Sequence, residues 1–263
     1  MRYILVTGAH GGMGRKTVAL LKQQGFCVFA LDQEVGAAEP NVIPLQADVT
    51  DEASVRRALK QVRSVTDTLY AIVHFAGIYL LDSLVEVDSA RFSHALQVNL
   101  FGVFCVNKFF LPLLRSGSRI VITTSELAPL DPLPFTGIYA VTKAALDKYA
   151  YALRMELQLL HISVSVIRAG AVDTGMLGIS TRALDRFCET TELYACNATR
   201  FKAIVASVEA RRIPPERIAR KALDILQKEH PGYAYPINRN PLLLLLNALP
   251  KRVQFWAIRQ VLK

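Results

Sequence analysis

The chain has 263 residues, 52% hydrophobic and 20% charged, so it can bury a sizeable core and its composition excludes wholesale disorder. The formal net charge is +9, but Lys and Arg are spread along the chain, and we expect no nucleic-acid partner. The cysteines and histidines show no metal-ligand spacing, no apolar run is long enough for a membrane span, and the N-terminus does not read as a signal peptide. We therefore expect a cytoplasmic protein without a metal site.

Short apolar runs alternate with helical patterns along the chain. The runs that predict strands lie at 2–8, 26–32, 42–49, 69–77, 118–125, 162–170 and 232–237, and the clearest helical patterns lie at 14–24, 51–62, 89–115 and 137–160. Nearly continuous apolar strands separated by helices indicate an α/β fold with a parallel sheet covered on both faces. The sequence predicts one domain over residues 1–240, with a doubly wound sheet of about seven strands.

Two regions depart from this alternation. Residues 174–212 form a long insertion after the sixth predicted strand, where substrate loops and lids are common. Residues 241–263 form an apolar and basic extension. We expect this extension to be a helix packed on the domain or on a partner subunit, and the alternative is a peripheral membrane anchor.

A glycine-rich turn, TGAHGGMG, follows the first predicted strand and precedes the first predicted helix. Gly8, Gly12 and Gly14 would let the backbone approach a pyrophosphate, which the helix N-terminus attracts through its N–H groups. Asp32 ends the next predicted strand, where a carboxylate hydrogen-bonds ribose hydroxyls and repels a 2′-phosphate. The pattern predicts a dinucleotide site and favours NAD, while two basic residues after the turn keep NADP open.

Tyr139 and Lys143 are four positions apart, so on a helix their side chains lie on the same face. One interpretation is packing alone, with Lys143 extending along the tyrosine ring to water. The other interpretation is chemical, because a nearby positive charge lowers the pKa of a phenol and suits it to general acid/base catalysis.

Several motifs in order, TGAHGGMG, DVT, NLFG, ITTSELAP, YAVTK and IRAGAVDTGM, resemble the short-chain dehydrogenase/reductase family from about residue 3 to residue 237. The resemblance implies a Rossmann-type fold and an NAD(P)-dependent oxidoreductase. Ser125 would hold the substrate oxygen, Tyr139 would transfer the proton, and Lys143 would tune Tyr139. Asn99 would hold a water in the proton relay. The implied cofactor-binding residues are Gly8, Gly11, Gly12, Met13, Gly14, Asp32, Asp48, Val49, Ala76, Gly77, Tyr139, Lys143, Val172 and Thr174.

The chain departs from the family pattern at three places, one of which is Ala169-Gly170, where the family usually has Pro-Gly after the sixth strand. The usual NNAG reads HFAG, so His74 and Phe75 replace two asparagines and their hydrogen bonds need substitutes. The segment from Ser125 to the tyrosine is one residue longer than the commonest spacing, which leaves Thr124 and Glu126 as alternatives. We assign Ser125 because its hydroxyl can hydrogen-bond a carbonyl or an alkoxide without adding negative charge.

Large apolar residues surround the predicted site, and we expect substrate contacts from Tyr79, Leu127, Phe135 and Met176. They favour a bulky hydrophobic secondary alcohol or ketone, with a hydroxysteroid-like substrate preferred. The alternative function is a regulatory protein that senses NAD without turnover, against which the catalytic residues argue. The resemblance also implies a homodimer or homotetramer formed through the helices predicted at 89–115 and 137–160.

Overall fold

A computed structural model of the chain describes residues 1–209 and 211–263, with their side chains outside 176–182 and 208–209. The strands are β1 (Tyr3–Thr7), β2 (Cys27–Asp32), β3 (Val42–Gln46), β4 (Leu69–His74), β5 (Leu114–Thr123), β6 (Ser163–Ala169) and β7 (Ala234–Ile237). They form one parallel sheet in the order β3-β2-β1-β4-β5-β6-β7. The predicted doubly wound α/β fold of seven strands is confirmed.

Helices cover both faces of this sheet. They are α1 (Gly12–Gln23), α2 (Glu52–Arg63), α3 (Ser89–Leu96), α4 (Gly102–Phe110), α5 (Gly137–Leu157), α6 (Gly175–Thr190), α7 (Ala195–Glu209), α8 (Glu216–Gln227), α9 (Pro241–Ala248) and α10 (Lys251–Leu262). Strand residues alternate between the faces, so Leu5 packs in the core under α2, α4 and α5. Ile4 and Val6 pack in the core under α1 and α8. This two-sided burial explains why the strands read as apolar runs.

The long helical stretch predicted at 89–115 is interrupted. A π-helical segment, Gln97–Phe101, separates α3 from α4, and β5 already begins at Leu114. The stretch Ser89–Leu113 is long and apolar enough to cross a membrane, with a mean hydropathy of 1.4. Because 56% of that window is buried and α4 belongs to the core under the sheet, we interpret it as a core helix.

The insertion after β6 contributes α6 and α7, which lie apart from the sheet in a separate apolar cluster. The C-terminal α10 joins this cluster through Leu262, which is buried, and Ile258, which is partly buried. The side-chain amide of Asn197 on α7 donates to the Leu262 carbonyl over 2.5 Å. The C-terminal helix therefore packs on the domain, as expected, while Phe255 and Trp256 remain exposed.

Candidate active site

The glycine-rich turn packs against the segment that follows β4. Gly8 has a φ of +64°, and a Cβ there would lie 2.6 Å from the Ala76 nitrogen. A Cβ on Gly14 would lie 2.0 Å from the Gly8 carbonyl oxygen. Both positions therefore require glycine, because a side chain on Gly8 would push apart the loops after β1 and β4 and one on Gly14 would collide with the turn itself. Ala76 also donates its N–H to the Thr7 hydroxyl over 3.4 Å.

The N-terminus of α1 is open toward this turn. Gly11 is its N-cap residue and makes no side-chain hydrogen bond to the first helical turn. The first turn holds no acidic residue either, so its N–H groups and positive dipole are available to an anion. A Cβ on Gly12 would lie 2.7 Å from the Thr174 Cβ, which places the segment after β6 beside the same helix start.

The carboxylate of Asp32 is held in place at the end of β2. One oxygen accepts the His10 backbone N–H at 2.9 Å, and the other accepts the Gln33 backbone N–H at 2.8 Å. Lys16, one of the basic residues that kept NADP open, forms an ion pair with Glu216 at 2.8 Å. Lys16 is therefore already engaged on α8.

Asp48 and Val49, which the resemblance implied as cofactor-binding residues, lie after β3. Burial alone would raise the pKa of Asp48, but hydrogen bonds from the hydroxyl and the N–H of Thr50, at 2.7 and 2.8 Å, keep it below its ordinary value. Val49 is buried, and a Cβ on Gly102 would lie 2.6 Å from it. The carboxylate therefore stays ionised and fixed in position.

Three of the four predicted catalytic residues, Ser125, Tyr139 and Lys143, line a cavity of about 160 Å³ at the carboxyl ends of the strands. Ser125 follows β5 and lines the cavity beside Tyr139, whose pKa it lowers. Lys143 lies one turn further along α5, with its Nζ 5.7 Å from the centre of the tyrosine ring and 3.4 Å from the Thr123 carbonyl oxygen. Thr124, the alternative hydroxyl, instead donates to Asp147 at 3.3 Å on the other side of the chain. Thr124 also lines the cavity, but Ser125 is the hydroxyl that interacts with Tyr139.

The pKa of Tyr139 is shifted in the direction opposite to our expectation. Burial, aided by the negative charge of Glu126, raises it to about 12 despite the opposing effect of Ser125. Burial also lowers the pKa of Lys143 to about 8. In the protein alone, the lysine charge does not compensate for the loss of water from both groups. In this state the phenol keeps its proton and is suited to donating it.

Asn99 lies in the π-helical segment and is 1% exposed. Its Oδ1 accepts the Ile78 N–H at 2.8 Å, and its Nδ2 donates to the Ile78 carbonyl at 2.9 Å and to the Thr142 hydroxyl at 3.0 Å. The side chain therefore ties the segment after β4 to α5. A Cβ on Gly77 would lie 3.1 Å from the Asn99 Oδ1 and 3.5 Å from the Lys143 Nζ, so the three residues are neighbours.

The cavity brings together only part of the predicted set. It is lined by the predicted residues Met13, Gly77, Tyr79, Ser125, Leu127, Tyr139, Lys143, Val172 and Thr174. The Tyr79 ring meets the Tyr139 ring edge-on, with centroids 4.6 Å apart. The side chain of Met176 lies outside the described residues.

The structure corrects the predicted role of Phe135 as a substrate contact. Its backbone has a φ of +64°, and its ring packs 4.9 Å from Phe187 and 5.4 Å from Phe201, with a separate groove on its other side. It therefore does not line the catalytic cavity. The left-handed backbone at this position gives no signal in the sequence.

Sequence reasoning missed part of the cavity wall. Phe201, Ile204 and Val205 of α7 line it, together with Leu243 of α9 and Glu126. The spacing of the three α7 residues, which places apolar side chains on one helical face, was a signal that could have found them. Glu126 had been considered only as a substitute for the serine.

These features fit a nicotinamide dinucleotide. The open N-terminus of α1 and the glycine cradle suit a pyrophosphate, Asp32 suits a ribose, and Thr174 and Lys143 lie where the cavity meets the turn. Fold and site together define a dinucleotide-dependent oxidoreductase of the Rossmann type.

Comparisons with known proteins agree with this class. The family model described as short chain dehydrogenase matches residues 2–184, and the chain belongs to that family of oxidoreductases, which use a nicotinamide cofactor. It is 27% identical over 262 residues to a 3-ketodihydrosphingosine reductase of Bacteroides thetaiotaomicron, covering 97% of this chain and 96% of the relative. It is 34% identical over 187 residues to estradiol 17-beta-dehydrogenase 2 of Mus musculus, covering 66% of this chain and 49% of that protein. A solved short chain dehydrogenase family protein of Francisella tularensis has the same fold, with a TM-score of 0.75 at 22% identity, over 90% of this chain and 97% of that one.

Proposed function

We propose that the chain is an NAD-dependent oxidoreductase that interconverts a bulky hydrophobic secondary alcohol and its ketone, with Tyr139 as general acid/base. The observation that carries the proposal is the convergence of Ser125, Tyr139 and Lys143 on one largely apolar cavity. A binding protein without turnover has no need of this group, so we do not favour the sensor alternative.

The residues divide the work of ketone reduction among them. Ser125 and Tyr139 hold the carbonyl oxygen between two hydroxyl groups, and Tyr139 donates its proton as negative charge develops there. Lys143 sits behind the phenol and stabilises it after the proton has left. The nicotinamide cofactor supplies or removes the hydride, and its oxidised form adds a positive charge that lowers the pKa of the phenol.

Two observations support NAD as the cofactor. The fixed Asp32 carboxylate would repel a 2′-phosphate, and Lys16 is already paired with Glu216. The names of the relatives support a large hydrophobic substrate, because one is a 3-ketodihydrosphingosine reductase and another is an estradiol 17-beta-dehydrogenase. A hydroxysteroid-like substrate and a long-chain ketone are both consistent with the cavity.

We also propose two contacts for the molecular surface. Exposed apolar side chains on α5 support a homo-oligomer formed through that helix. The exposed aromatic pair of α10, with basic residues on the same helix, supports peripheral contact with an anionic membrane surface.

The test of the proposed enzyme is a turnover assay with NAD and NADP against hydroxysteroids, ketosteroids and long-chain ketones. Tyr139→Phe should lower kcat by roughly 100-fold to 10,000-fold, the usual range for a lost general acid/base. Tyr151→Phe is the matched control, because Tyr151 is an exposed phenol on the same helix away from the cavity. Full activity in Tyr139→Phe would show that another group moves the proton, and NAD binding without turnover on any substrate would favour the sensor.

A further inference from the structure

Glu126 places a carboxylate in the wall of the catalytic cavity. It is 8% exposed and follows Ser125 directly in the chain. A buried carboxylate costs free energy unless a partner compensates it. Within the described part of the chain no lysine, arginine or histidine forms an ion pair with it. The arrangement therefore leaves a negative charge without a protein cation beside it.

The backbone holds this carboxylate in a fixed orientation. The Glu126 N–H donates to the Ala169 carbonyl at 2.9 Å, and its Oε2 accepts the Asn240 N–H at 2.6 Å. Its Oε1 lies beside Gly170, where a Cβ would approach within 3.0 Å of it. Both Glu126 and Gly170 line the cavity. Among the described residues Oε1 accepts no hydrogen bond and is not sealed from solvent, so it is a preorganised acceptor facing the cavity.

We propose that Glu126 binds an ammonium group of the substrate, so that the preferred substrate is a hydrophobic amino ketone or the matching amino alcohol. The proposal rests on the proposed function and names its substrate class more narrowly. A cation is the favoured ligand because it compensates the charge as well as accepting a hydrogen bond, whereas a neutral hydroxyl would be served as well by an uncharged amide.

The surrounding charged groups do not take this role. Lys143 shares the cavity, but burial alone accounts for its lowered pKa, with no contribution from Glu126. Arg239 is exposed and only weakly opposes the burial that raises the pKa of Glu126. Among the described residues, no cation is therefore paired with the Glu126 carboxylate. A cationic group on the substrate is the partner that fits its charge.

The position of Glu126 also fixes where the amine would lie. Glu126 is adjacent to Ser125, and its charge contributes to the raised pKa of Tyr139. The ammonium group would therefore be close to the reacting carbonyl, as in an α-amino ketone, with the alkyl part against α7 and α9. An ammonium bound there would cancel the charge that opposes loss of the phenol proton. The carbonyl carbon gains one hydride from the reduced nicotinamide and its oxygen gains one proton from Tyr139, while the amine is unchanged.

The test compares an α-amino long-chain ketone with the same ketone lacking the amino group. The natural protein should prefer the amino ketone by roughly tenfold to 100-fold in kcat/KM, the range of a charge-assisted hydrogen bond. Glu126→Gln keeps an acceptor for the Asn240 N–H and removes the charge, so it should abolish the preference mainly through KM. Glu126→Asp retains the charge and should retain part of the preference. Glu229→Gln, at a fully solvated carboxylate, is the control.

Two results would overturn the proposal: equal use of both ketones by the natural protein, or an equal loss on both ketones in Glu126→Gln. Absence of turnover on every ketone, including steroids, would instead contradict the proposed function. In that case calorimetric binding of dodecylamine and dodecanol to the protein with NAD decides the point. Weaker amine binding in Glu126→Gln supports the ammonium site, and equal binding of the two ligands in the natural protein overturns it.

Discussion

His74 fills the position of a family asparagine with a group that titrates. It is 2% exposed, and its Nε2 is 2.9 Å from the Asn107 Oδ1, while its Nδ1 has no partner among the described residues. Asn107 in turn donates to the Tyr149 hydroxyl at 3.2 Å. Burial lowers the pKa of His74 to about 4. The imidazole is therefore neutral in the folded chain near neutral pH.

We predict that this histidine destabilises the fold in mild acid. Between pH 6.5 and 4 the unfolded chain binds a proton that the folded chain refuses, so stability falls as pH falls through this window. The loss should be about 2 kcal/mol on going from neutral pH to about pH 5. Urea unfolding at both pH values should show a smaller difference in His74→Gln. His230→Gln, at an exposed histidine, should behave like the natural chain, and equal pH dependence in all three would contradict the prediction.

At the scale of single residues, the sequence predicted which residues form the site better than it predicted their pKa values and hydrogen-bond partners. It left Ser125, Thr124 and Glu126 as alternatives, and only the path of the chain beyond β5 separates the hydroxyl that meets Tyr139 from the one that meets Asp147. The raised pKa of Tyr139 was missed because burial depends on residues distant in sequence. The same is true of Glu126, whose acceptor geometry depends on Asn240.

At the scale of elements, α5 has one face in the catalytic site and another that carries exposed apolar residues. Tyr151, Met155 and Leu159 are spaced by four along α5 and the turn after it, and they are 52%, 48% and 78% exposed. Side chains with this spacing form one stripe on a helix. Such a stripe suits an interface between two copies of the chain.

We predict that Met155→Arg shifts the protein toward a monomer. A charge buried in an apolar interface without a partner costs several kcal/mol, more than a modest dimer interface can absorb. Sedimentation velocity over a concentration series measures the shift. Gln23→Arg, an added charge on exposed α1, should leave the assembly intact. Identical sedimentation of the natural chain and Met155→Arg would exclude this stripe as the interface.

The elements were predicted well where periodicity is regular and poorly where it changes. The π-helical turn at Gln97–Phe101 was invisible, because an i to i+5 hydrogen bond leaves the apolar pattern nearly unchanged. The turn contains Asn99, whose buried amide is held by the Ile78 backbone. The early start of β5 was also missed, because the three residues after its buried Leu114 are not apolar and are exposed.

At the scale of the whole molecule, the fold was predictable and the closure of the cavity was not. Strand number and parallel pairing follow from apolar runs, whereas the packing of α7 and α9 over the site depends on contacts across the whole chain. The C-terminal extension carries Phe255 and Trp256, 67% and 64% exposed, on a helix with basic residues. Leu242 and Leu245 of α9 add exposed apolar surface, each 63% exposed.

We predict that this C-terminal surface binds anionic lipid vesicles. A double variant, Phe255→Ser with Trp256→Ser, should bind them at least roughly tenfold more weakly, because each aromatic ring loses its transfer out of water. Vesicle co-sedimentation measures the change. Val65→Ser removes an exposed apolar side chain elsewhere and is the control. The prediction is contradicted if the natural chain, the double variant and the control bind vesicles equally, or if none of them binds. Packing on α7 would then be the only role left for α10.

The packing of α10 on α7 links the exposed aromatic surface of α10 to the catalytic cavity. Phe201 of α7 lines the cavity and belongs to the same apolar cluster as Leu262 of α10. If substrate displaces α7 and thereby changes the affinity of α10 for lipid, then lipid must change the affinity for substrate by the same factor. The measurement is the dissociation constant of the substrate with and without vesicles. A difference would reveal this reciprocity, and equal constants would mean that lipid binding at α10 and substrate binding in the cavity are not coupled.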